Sequence, residues 1–397
     1  MNGVKILFAA APGYGLMLPL VPLVWAARAA GHEVLLATTG DMAEVGAHAG
    51  LPVVDVFPDR NVWNDLLAHI SSPDRAELPP EYRQAAEAGN PFAMFTVTMT
   101  EGTIAAGREF GADLVVYTSD HSTGALAALA LGVPGLEVGN RVSWSMRDRE
   151  SQERNSNSAN EQVVIGPLRE RLDIPAGQPE LIARIDPRAP SMGGITADEP
   201  DPRDGVSWWP MRYVPYNGGA VLPDWTLRRP ARPRVGVTLG TVVPIMTGTT
   251  SLTVVIEALG GLDVEVVLAA GSADLSTLGE LPGNVHSVGF LPLSGFLSTC
   301  SLLVHHGGSG TTAAPLHYGV PQLVLPSFAD NPMSAQRVVD RGVGLSHDPA
   351  TIDVATAGKL LDALLTDPRF ALAAREVAAE MATQPSPASI IDRLTTG

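Results

Sequence analysis

The sequence predicts an α/β fold with two Rossmann-like domains, and three observations support this prediction. Val4–Ala10 is a continuous apolar run of strand length, as expected for a central strand of a parallel sheet. Leu302–Pro326 reads as a buried strand, a glycine-rich turn, a helix and a second strand, which together form one βαβ unit. The chain has 397 residues, which is more than one hydrophobic core usually contains and enough for two domains.

The amino-terminal half begins with the strand Val4–Ala10 and a turn that contains Gly13 and Gly15. Pro19 marks the first turn of an apolar-periodic helix, which Gly31 ends. Alternation of strands and helices then continues, which is typical of a parallel sheet. The further predicted elements are the strands Glu33–Thr38 and Leu114–Tyr117 and the helix Gly124–Leu131.

The carboxy-terminal half repeats this alternation after two segments rich in Pro, Asp and Arg. These segments, Ala197–Pro210 and Arg228–Arg234, predict an interdomain connection with a boundary near residue 220. The predicted domains are therefore residues 1–219 and 220–382. The strands predicted in the second domain are Arg234–Leu239, Val264–Ala269, Val285–Leu291, Leu302–Val304 and Gln322–Leu325.

The turn after Leu302–Val304 has the composition of a phosphate-binding site. Ligands of parallel sheets bind at the carboxyl ends of the strands. Glycines let the backbone approach an anion, and the first amides of the helix that opens at Thr311 have no intrahelical partner. His305 or His306 could donate one more hydrogen bond to a phosphoryl oxygen. The alternative is that the turn only connects the strand to the helix, but two adjacent imidazoles are an unusual choice for such a connection. A Walker A loop is excluded because no Lys follows the last glycine.

The first turn invites a second interpretation, a dinucleotide-binding fold. Gly13 and Gly15 follow a strand, and Asp41 stands roughly where a ribose-binding acid would be expected. The third glycine of that pattern is missing, because Leu18 stands in its place. The pattern therefore disfavours a dinucleotide site.

HHGGSGTT at 305–312 and GVPQLVLPSFADNP at 319–332 resemble the nucleotide-sugar signature of family 1 glycosyltransferases. The resemblance is to actinomycete enzymes that glycosylate antibiotics, including aromatic polyketide C-glycosyltransferases. It extends to VPYNG at 214–218, TLGT at 238–241 and VGFLP at 288–292. It implies the GT-B fold, with parallel sheets facing an interdomain cleft, the donor on the second domain and the acceptor on the first. The tail helix within residues 383–397 would pack back on the first domain.

The resemblance also implies a donor-binding set. Asp330 and Asn331 would hydrogen-bond the sugar hydroxyls, although many relatives have Gln where Asn331 stands. Thr241 would contact the donor phosphates, and Leu291 would lie beside the nucleotide base. A helix cap is the alternative role for Thr241, and a loop cap for the Asp330 and Asn331 pair. The remaining members of the predicted set are Gly15, His305, Gly308, Ser309, Gly310 and Thr311.

The usual general base of the family is missing. Relatives commonly have a His after the second glycine of the first turn, where this sequence has Leu16. Asp120 matches the Asp that supports this His in relatives, and it is our first candidate for the base, with His121 second. An N-cap of the helix Gly124–Leu131 is the alternative role for Asp120. A carboxylate suffices to deprotonate a phenol or an acidic ring carbon, so an aromatic acceptor and C- as well as O-glycosylation are expected.

Large apolar side chains in the first domain could form the acceptor pocket. The alternative is that they belong to the ordinary core. Arg147–Glu161 is polar and predicts a mobile loop or a lid. The residues that we assign to the acceptor pocket are Trp63, Phe92, Met94 and Trp144.

Composition excludes several other classes. Lys and Arg number 26 against 42 Asp and Glu, a net charge of −16, which argues against a nucleic-acid partner. No run is long and apolar enough to span a bilayer, and no signal peptide is evident, so we expect a cytoplasmic protein. The nine His are scattered, which predicts neither a metal site nor a cofactor.

Taken with the resemblance, the sequence predicts an inverting transfer of a sugar or deoxysugar to a hydrophobic aromatic polyketide, and the resemblance alone implies dTDP as the carrier. Domain closure would exclude water from the donor. A nucleotide-sugar 2-epimerase is one alternative, for which more charged groups around the sugar would be expected. A non-catalytic donor-binding helper is the other, because the base is missing. The sequence leaves open whether the chain forms a homodimer.

Overall fold

The computed structural model of the protein describes residues 3–71, 82, 83, 85, 91–119, 122–142, 145–148, 157–238, 240, 250–271, 275 and 278–396. These residues form two sheets, one from each half of the chain, with helices packed on them. Four predicted site residues lie outside the described residues, namely Asp120, His121, Trp144 and Thr241.

The first sheet has eight described strands in the order β3-β2-β1-β4-β5-β6-β8-β7. Every pairing is parallel except that of the short β7 with β8. The strands are β1 (Lys5–Ala9), β2 (Glu33–Thr38), β3 (Val53–Asp55), β4 (Leu114–Thr118), β5 (Gly135–Val138), β6 (Leu181–Asp186), β7 (Glu199–Pro200) and β8 (Ser207–Pro210).

Strand β1 shows why the sequence is apolar at every position after Lys5. Ile6 and Phe8 pack into a core with one layer of helices, whereas Leu7 and Ala9 pack into a second core on the opposite face. Alternating side chains of a central strand thus reach two buried layers. The helices of this half are α1 (Tyr14–Met17), α2 (Val21–Ala29), α3 (Asp41–His48), α4 (Val62–Ser71), α5 (Pro91–Phe110), α6 (Thr123–Leu131) and α7 (Asn157–Leu172).

The second sheet has six described strands, all parallel, in the order β11-β10-β9-β12-β13-β14. Its strands are β9 (Arg234–Thr238), β10 (Glu265–Leu268), β11 (Val285–Ser287), β12 (Leu302–His305), β13 (Gln322–Val324) and β14 (Gly344–Ser346). Its helices, with those of the tail, are α8 (Thr250–Gly260), α9 (Ser309–Tyr318), α10 (Asn331–Asp340), α11 (Val354–Thr366), α12 (Pro368–Thr383) and α13 (Pro387–Thr396).

The tail helix α13 packs against α2 of the first half. Ile390 and Ile391 are fully buried in the same core as Phe8. The guanidinium of Arg393 lies 3.7 Å from the centre of the Trp209 ring and pairs with Asp198. The predicted boundary near residue 220 stays a prediction, and it falls in the segment between β8 and β9.

Several predicted segments differ in the structure. Ala197–Pro210 is not a linker, because it forms the β7–β8 hairpin, in which Asp201 accepts hydrogen bonds from Arg203 and Trp208. The predicted strand Val285–Leu291 ends early, at Ser287, and Gly289 follows with φ +60°. Of the predicted loop Arg147–Glu161, residues 149–156 lie outside the described residues, and residues 157–161 form the first turns of α7.

Candidate functional site

The carboxyl ends of both sheets face one cavity of about 430 Å³. Its wall is built from the turns that follow β1, β2 and β5 of the first half and β9 to β13 of the second. This is the location expected for ligands of parallel sheets. The predicted site residues on this wall are Gly15, Trp63, Phe92, Leu291, Gly308, Ser309, Gly310, Thr311, Asp330 and Asn331.

The turn after β12 presents the amino end of α9 to the cavity. Gly308 is the N-cap, so the helix begins at Ser309, two residues before the predicted start at Thr311. The first backbone hydrogen bond of the helix runs from Thr312 N to Gly308 O, at 2.8 Å. The amides before it have no intrahelical acceptor, and the helix dipole gives this end partial positive charge. The arrangement suits an anion such as a phosphate.

His305, which we assigned to the donor-binding set, lies away from the cavity. The side chain is 1% exposed and does not line the cavity. Its Nδ1 accepts from Gly307 N at 3.0 Å, so its Nε2–H donates to Gln322 Oε1 at 2.8 Å. Because burial lowers the pKa of His305 to about 3, the imidazole is neutral and holds the turn in place.

His306 is the imidazole that faces the cavity. Its ring lies between two glycines, since a Cβ added to Gly240 would be 2.5 Å from Cε1 and one added to Gly308 would be 2.4 Å from Nε2. Burial lowers the pKa of His306 to about 4, against the opposing effect of Asp330. The Nδ1 atom is buried and has no hydrogen-bond partner among the described residues. A neutral imidazole on the cavity wall can act as a hydrogen-bond donor or acceptor.

The two halves of the chain meet at the cavity, beside the turn after β12. Arg141, three residues beyond the end of β5, donates to the Asp330 carboxylate at 2.8 Å, and both side chains are largely buried. The next backbone amide, of Val142, donates to Ser309 Oγ at 3.1 Å. The turn after β5 therefore contacts both the phosphate helix and the loop before α10.

The loop before α10 has features of a ligand site. Ala329 adopts φ +54°, a left-handed conformation that is unusual for a non-glycine residue and is found often at binding sites. Asn331 is buried, and its Nδ2 has no hydrogen-bond partner among the described residues. An unsatisfied amide on a cavity wall is costly unless a ligand or water meets it. Asp330 and Asn331 thus both lie on the cavity wall, and their contact with the sugar hydroxyls stays a prediction.

The opposite wall is apolar. Leu16 lies in the short helix α1 that follows β1 and is 6% exposed, and Trp63 and Phe92 lie on the same wall. Phe95 stacks behind them, with ring centroids 6.1 Å from Trp63 and 5.9 Å from Phe92. Met94 is completely buried in the core of this domain and does not line the cavity, so its assignment to the acceptor pocket was wrong.

The sequence did not reveal several residues on the wall. Arg141 could have been found from the rule that turns after parallel strands carry the ligands. Tyr213 is buried beside the phosphate helix, with its hydroxyl 3.6 Å from the position of a Cβ on Gly310. Tyr14 and Phe290 face each other across the cavity, with ring centroids 6.5 Å apart. Each of these is a single residue without a local motif.

Comparisons with known proteins identify the architecture. The model of the erythromycin biosynthesis protein CIII-like amino-terminal domain matches residues 25–240, and that of the carboxy-terminal domain matches residues 253–396. Elloramycin glycosyltransferase ElmGT from Streptomyces olivaceus is 40% identical over 99% of this chain and 97% of its own.

Solved structures agree with this assignment. SnogD from Streptomyces nogalater superposes with a TM-score of 0.79 at 33% identity, covering 99% of this chain and 98% of its own. SsfS6 from Streptomyces sp. SF2575, complexed with thymidine diphosphate, superposes at 0.78 with 30% identity, covering 99% and 100%. The chain therefore belongs to the erythromycin biosynthesis protein CIII-like family and is a glycosyltransferase with the GT-B fold.

Proposed function

We propose that this glycosyltransferase moves a sugar or deoxysugar from a thymidine diphosphate donor to a hydrophobic natural product. The observation that carries the proposal is the amino end of α9, with the neutral His306 beside it, on a cavity shared by both halves of the chain. Unpaired amides and an imidazole suit a diphosphate. The thymidine diphosphate bound to SsfS6 supports the choice of nucleotide.

The acceptor is proposed to be an aromatic polyketide. Leu16, Trp63 and Phe92 form an apolar wall on which a flat molecule can pack. The antibiotic products for which the relatives are named support a natural-product acceptor.

The proposed chemistry is a direct displacement. A deprotonated acceptor attacks the anomeric carbon from the face opposite the diphosphate, the bond from that carbon to the diphosphate oxygen breaks, and the configuration inverts. Amides of α9 and His306 would stabilise the negative charge on the leaving diphosphate. Asp120 remains the first candidate for the base and His121 the second, since Leu16 cannot take a proton.

Several properties stay predictions. These are the absence of a metal or other cofactor, a cytoplasmic location and the choice between a monomer and a homodimer. Among the described residues, no helix is long and apolar enough to cross a membrane. Transfer that continues unchanged in excess chelator would support a mechanism without a divalent metal.

Product analysis tests the proposed function. The enzyme is incubated with thymidine or uridine diphosphate sugars and a panel of phenolic and aliphatic acceptors. The masses of the products are then measured by mass spectrometry. We expect phenolic acceptors to gain the mass of one sugar residue, preferentially from thymidine donors. Acid hydrolysis then separates O-glycosides, which are cleaved, from C-glycosides, which are not. An epimerised donor without transfer, or no turnover with any acceptor, would contradict the proposal.

A further inference from the structure

We propose that Arg141 is a positioning residue of the donor site, which neutralises Asp330 and so allows a carboxylate to lie beside the diphosphate of the donor. The inference deepens the proposed function and rests on it. The amino-terminal domain, whose apolar wall we propose to bind the acceptor, would then supply the positive charge of Arg141 to the donor site on the carboxy-terminal domain.

The geometry of the contact supports a specific pairing. The Arg141 and Asp330 side chains are 13% and 15% exposed, and their nitrogen and oxygen atoms are 2.8 Å apart. The backbone on the Arg141 side is anchored by the neighbouring bond from Val142 N to Ser309 Oγ. The backbone of this turn is thus fixed beside α9. Because the guanidinium is planar and rigid, Arg141 loses little side-chain entropy when it binds Asp330.

The charges on the wall explain why such a residue is needed. Among the described lining residues, Arg141 is the only Lys or Arg, whereas Asp41 and Asp330 carry carboxylates. His306 is neutral because burial lowers its pKa to about 4. A diphosphate entering beside an unneutralised Asp330 would meet a like charge in a partly buried site, which strongly disfavours binding.

The pairing also connects donor binding to the contact between the two domains. Asp330 lies on the loop after β13, and Arg141 on the turn after β5 of the other sheet. The Arg141 guanidinium neutralises the Asp330 carboxylate where these two turns meet. Asp330 can then offer its oxygen atoms to sugar hydroxyls without repelling the diphosphate.

Calorimetric titration with thymidine diphosphate tests the inference in four proteins: the wild type, Arg141→Gln, Asp330→Asn and the double variant. We expect Arg141→Gln to weaken binding about tenfold or more, because it removes the positive charge beside the Asp330 carboxylate. Asp330→Asn should bind at least as tightly as the wild type. The double variant should bind within about threefold of Asp330→Asn, since removal of the carboxylate removes the need for Arg141.

This rescue separates the proposed role from two others. A purely structural role, or a direct bond from Arg141 to the diphosphate, predicts that the double variant binds as weakly as Arg141→Gln. That result, or wild-type affinity in Arg141→Gln, would overturn the inference. Arg141→Lys retains the charge and should lie between the wild type and Arg141→Gln.

Two controls complete the experiment. Arg171→Gln removes another paired arginine, whose partner Glu101 lies on an exposed surface, and should bind like the wild type. Thermal unfolding of each variant shows whether the fold is retained. If the wild type binds neither thymidine nor uridine diphosphate, the proposed function itself fails and the inference fails with it. Failure of the rescue alone leaves the proposed function intact.

Discussion

Gly308 lies so close to the His306 ring that a Cβ on this glycine would be 2.4 Å from Nε2. The φ of Gly308 is −59°, which any residue can adopt, so contact rather than backbone conformation requires the glycine. The ring is packed from its other side by Gly240. The position of the His306 ring therefore depends on the absence of a Cβ at Gly240 and Gly308.

Gly308→Ala should displace His306 and reduce turnover and donor affinity by roughly tenfold to a hundredfold, because a shift of about 1 Å is costly in a positioned site. Gly358→Ala is the matched control, since a Cβ there meets nothing within 4 Å. That variant lies inside α11 and should be stabilised by about 0.5–1 kcal/mol. Equal activity of the two variants, measured as kcat/KM for the donor, would contradict the arrangement.

Substitution of the two adjacent histidines should have different effects: loss of His305 should lower stability, and loss of His306 should lower turnover. His305→Ala leaves Gln322 Oε1 and Gly307 N without their partner, so we expect the free energy of unfolding to fall by about 2–4 kcal/mol. His306→Ala removes a ring from the cavity wall and should lower turnover with a change in stability of about 1 kcal/mol or less. Urea denaturation and donor turnover, measured on both variants, give the comparison. The reverse pattern would restore His305 as the donor ligand.

Stability should fall on acidification below pH 6.5. Burial lowers the pKa of His305 to about 3 and that of His306 to about 4, whereas both imidazoles titrate near 6.5 in the unfolded chain. Between pH 6.5 and 4 the unfolded state therefore binds more protons, and the free energy of unfolding decreases as the pH falls. Each imidazole contributes up to about 1.4 kcal/mol per pH unit.

Other groups also titrate in this range, so the measurement is the difference between the wild type and the double variant His305→Ala/His306→Ala. Urea denaturation at pH 7.5, 6, 5 and 4.5 should show a smaller loss of stability in the double variant. Parallel pH dependences would show that the histidines are not held neutral.

The two histidines also show which part of the site could be predicted. Composition predicted the turn and the helix after it, because glycines and helix starts have local signals, whereas the phosphate ligand stays a prediction. It could not decide between His305 and His306. Side chains alternate between the two faces of a strand, so His305, the last residue of β12, points to the same buried face of the sheet as Leu303. There it forms a hydrogen bond with Gln322 of the next strand.

Contacts between distant segments could not be predicted either. Arg141 and Asp330 are 189 residues apart, and no local pattern links them. Helix α5 was missed for a different reason. It is buried on several faces, with Ala93–Thr96 and Thr98–Thr100 inaccessible, so its sequence lacks the polar stripe that normally marks a helix. The central strands β1, β4, β9, β10 and β12 were predicted because central parallel strands are mostly apolar, whereas β3, β5 to β8 and β14 were not predicted.

Asp120→Asn tests the base that we predict from the sequence. The substitution keeps the size and hydrogen bonding of the side chain but cannot accept a proton, so turnover should fall about a hundredfold or more. Binding of thymidine diphosphate should be retained, which separates loss of the base from loss of the fold. His121→Gln serves as the comparison, and a larger loss in that variant would move the role to His121. Nearly normal turnover in both variants would reject both candidates.

Leu16→His should place a base at the position where the family resemblance implies a His. Leu16 is 6% exposed, and the structure places it on the cavity wall near Trp63. An imidazole in this apolar setting would have a lowered pKa and would be neutral at pH 7, ready to accept a proton. Because a neutral imidazole is a stronger base than a carboxylate, transfer to aliphatic alcohols should rise at least about tenfold.

Leu16→Gln is the matched control, since it introduces a polar side chain of similar length without a basic nitrogen. The measurement is the ratio of turnover with aliphatic to turnover with phenolic acceptors, which cancels differences in the amount of folded enzyme. The ratio should rise for Leu16→His and stay unchanged for Leu16→Gln. An equal rise in both variants would point to the loss of apolar packing, and no rise in either would show that position 16 does not face the acceptor nucleophile.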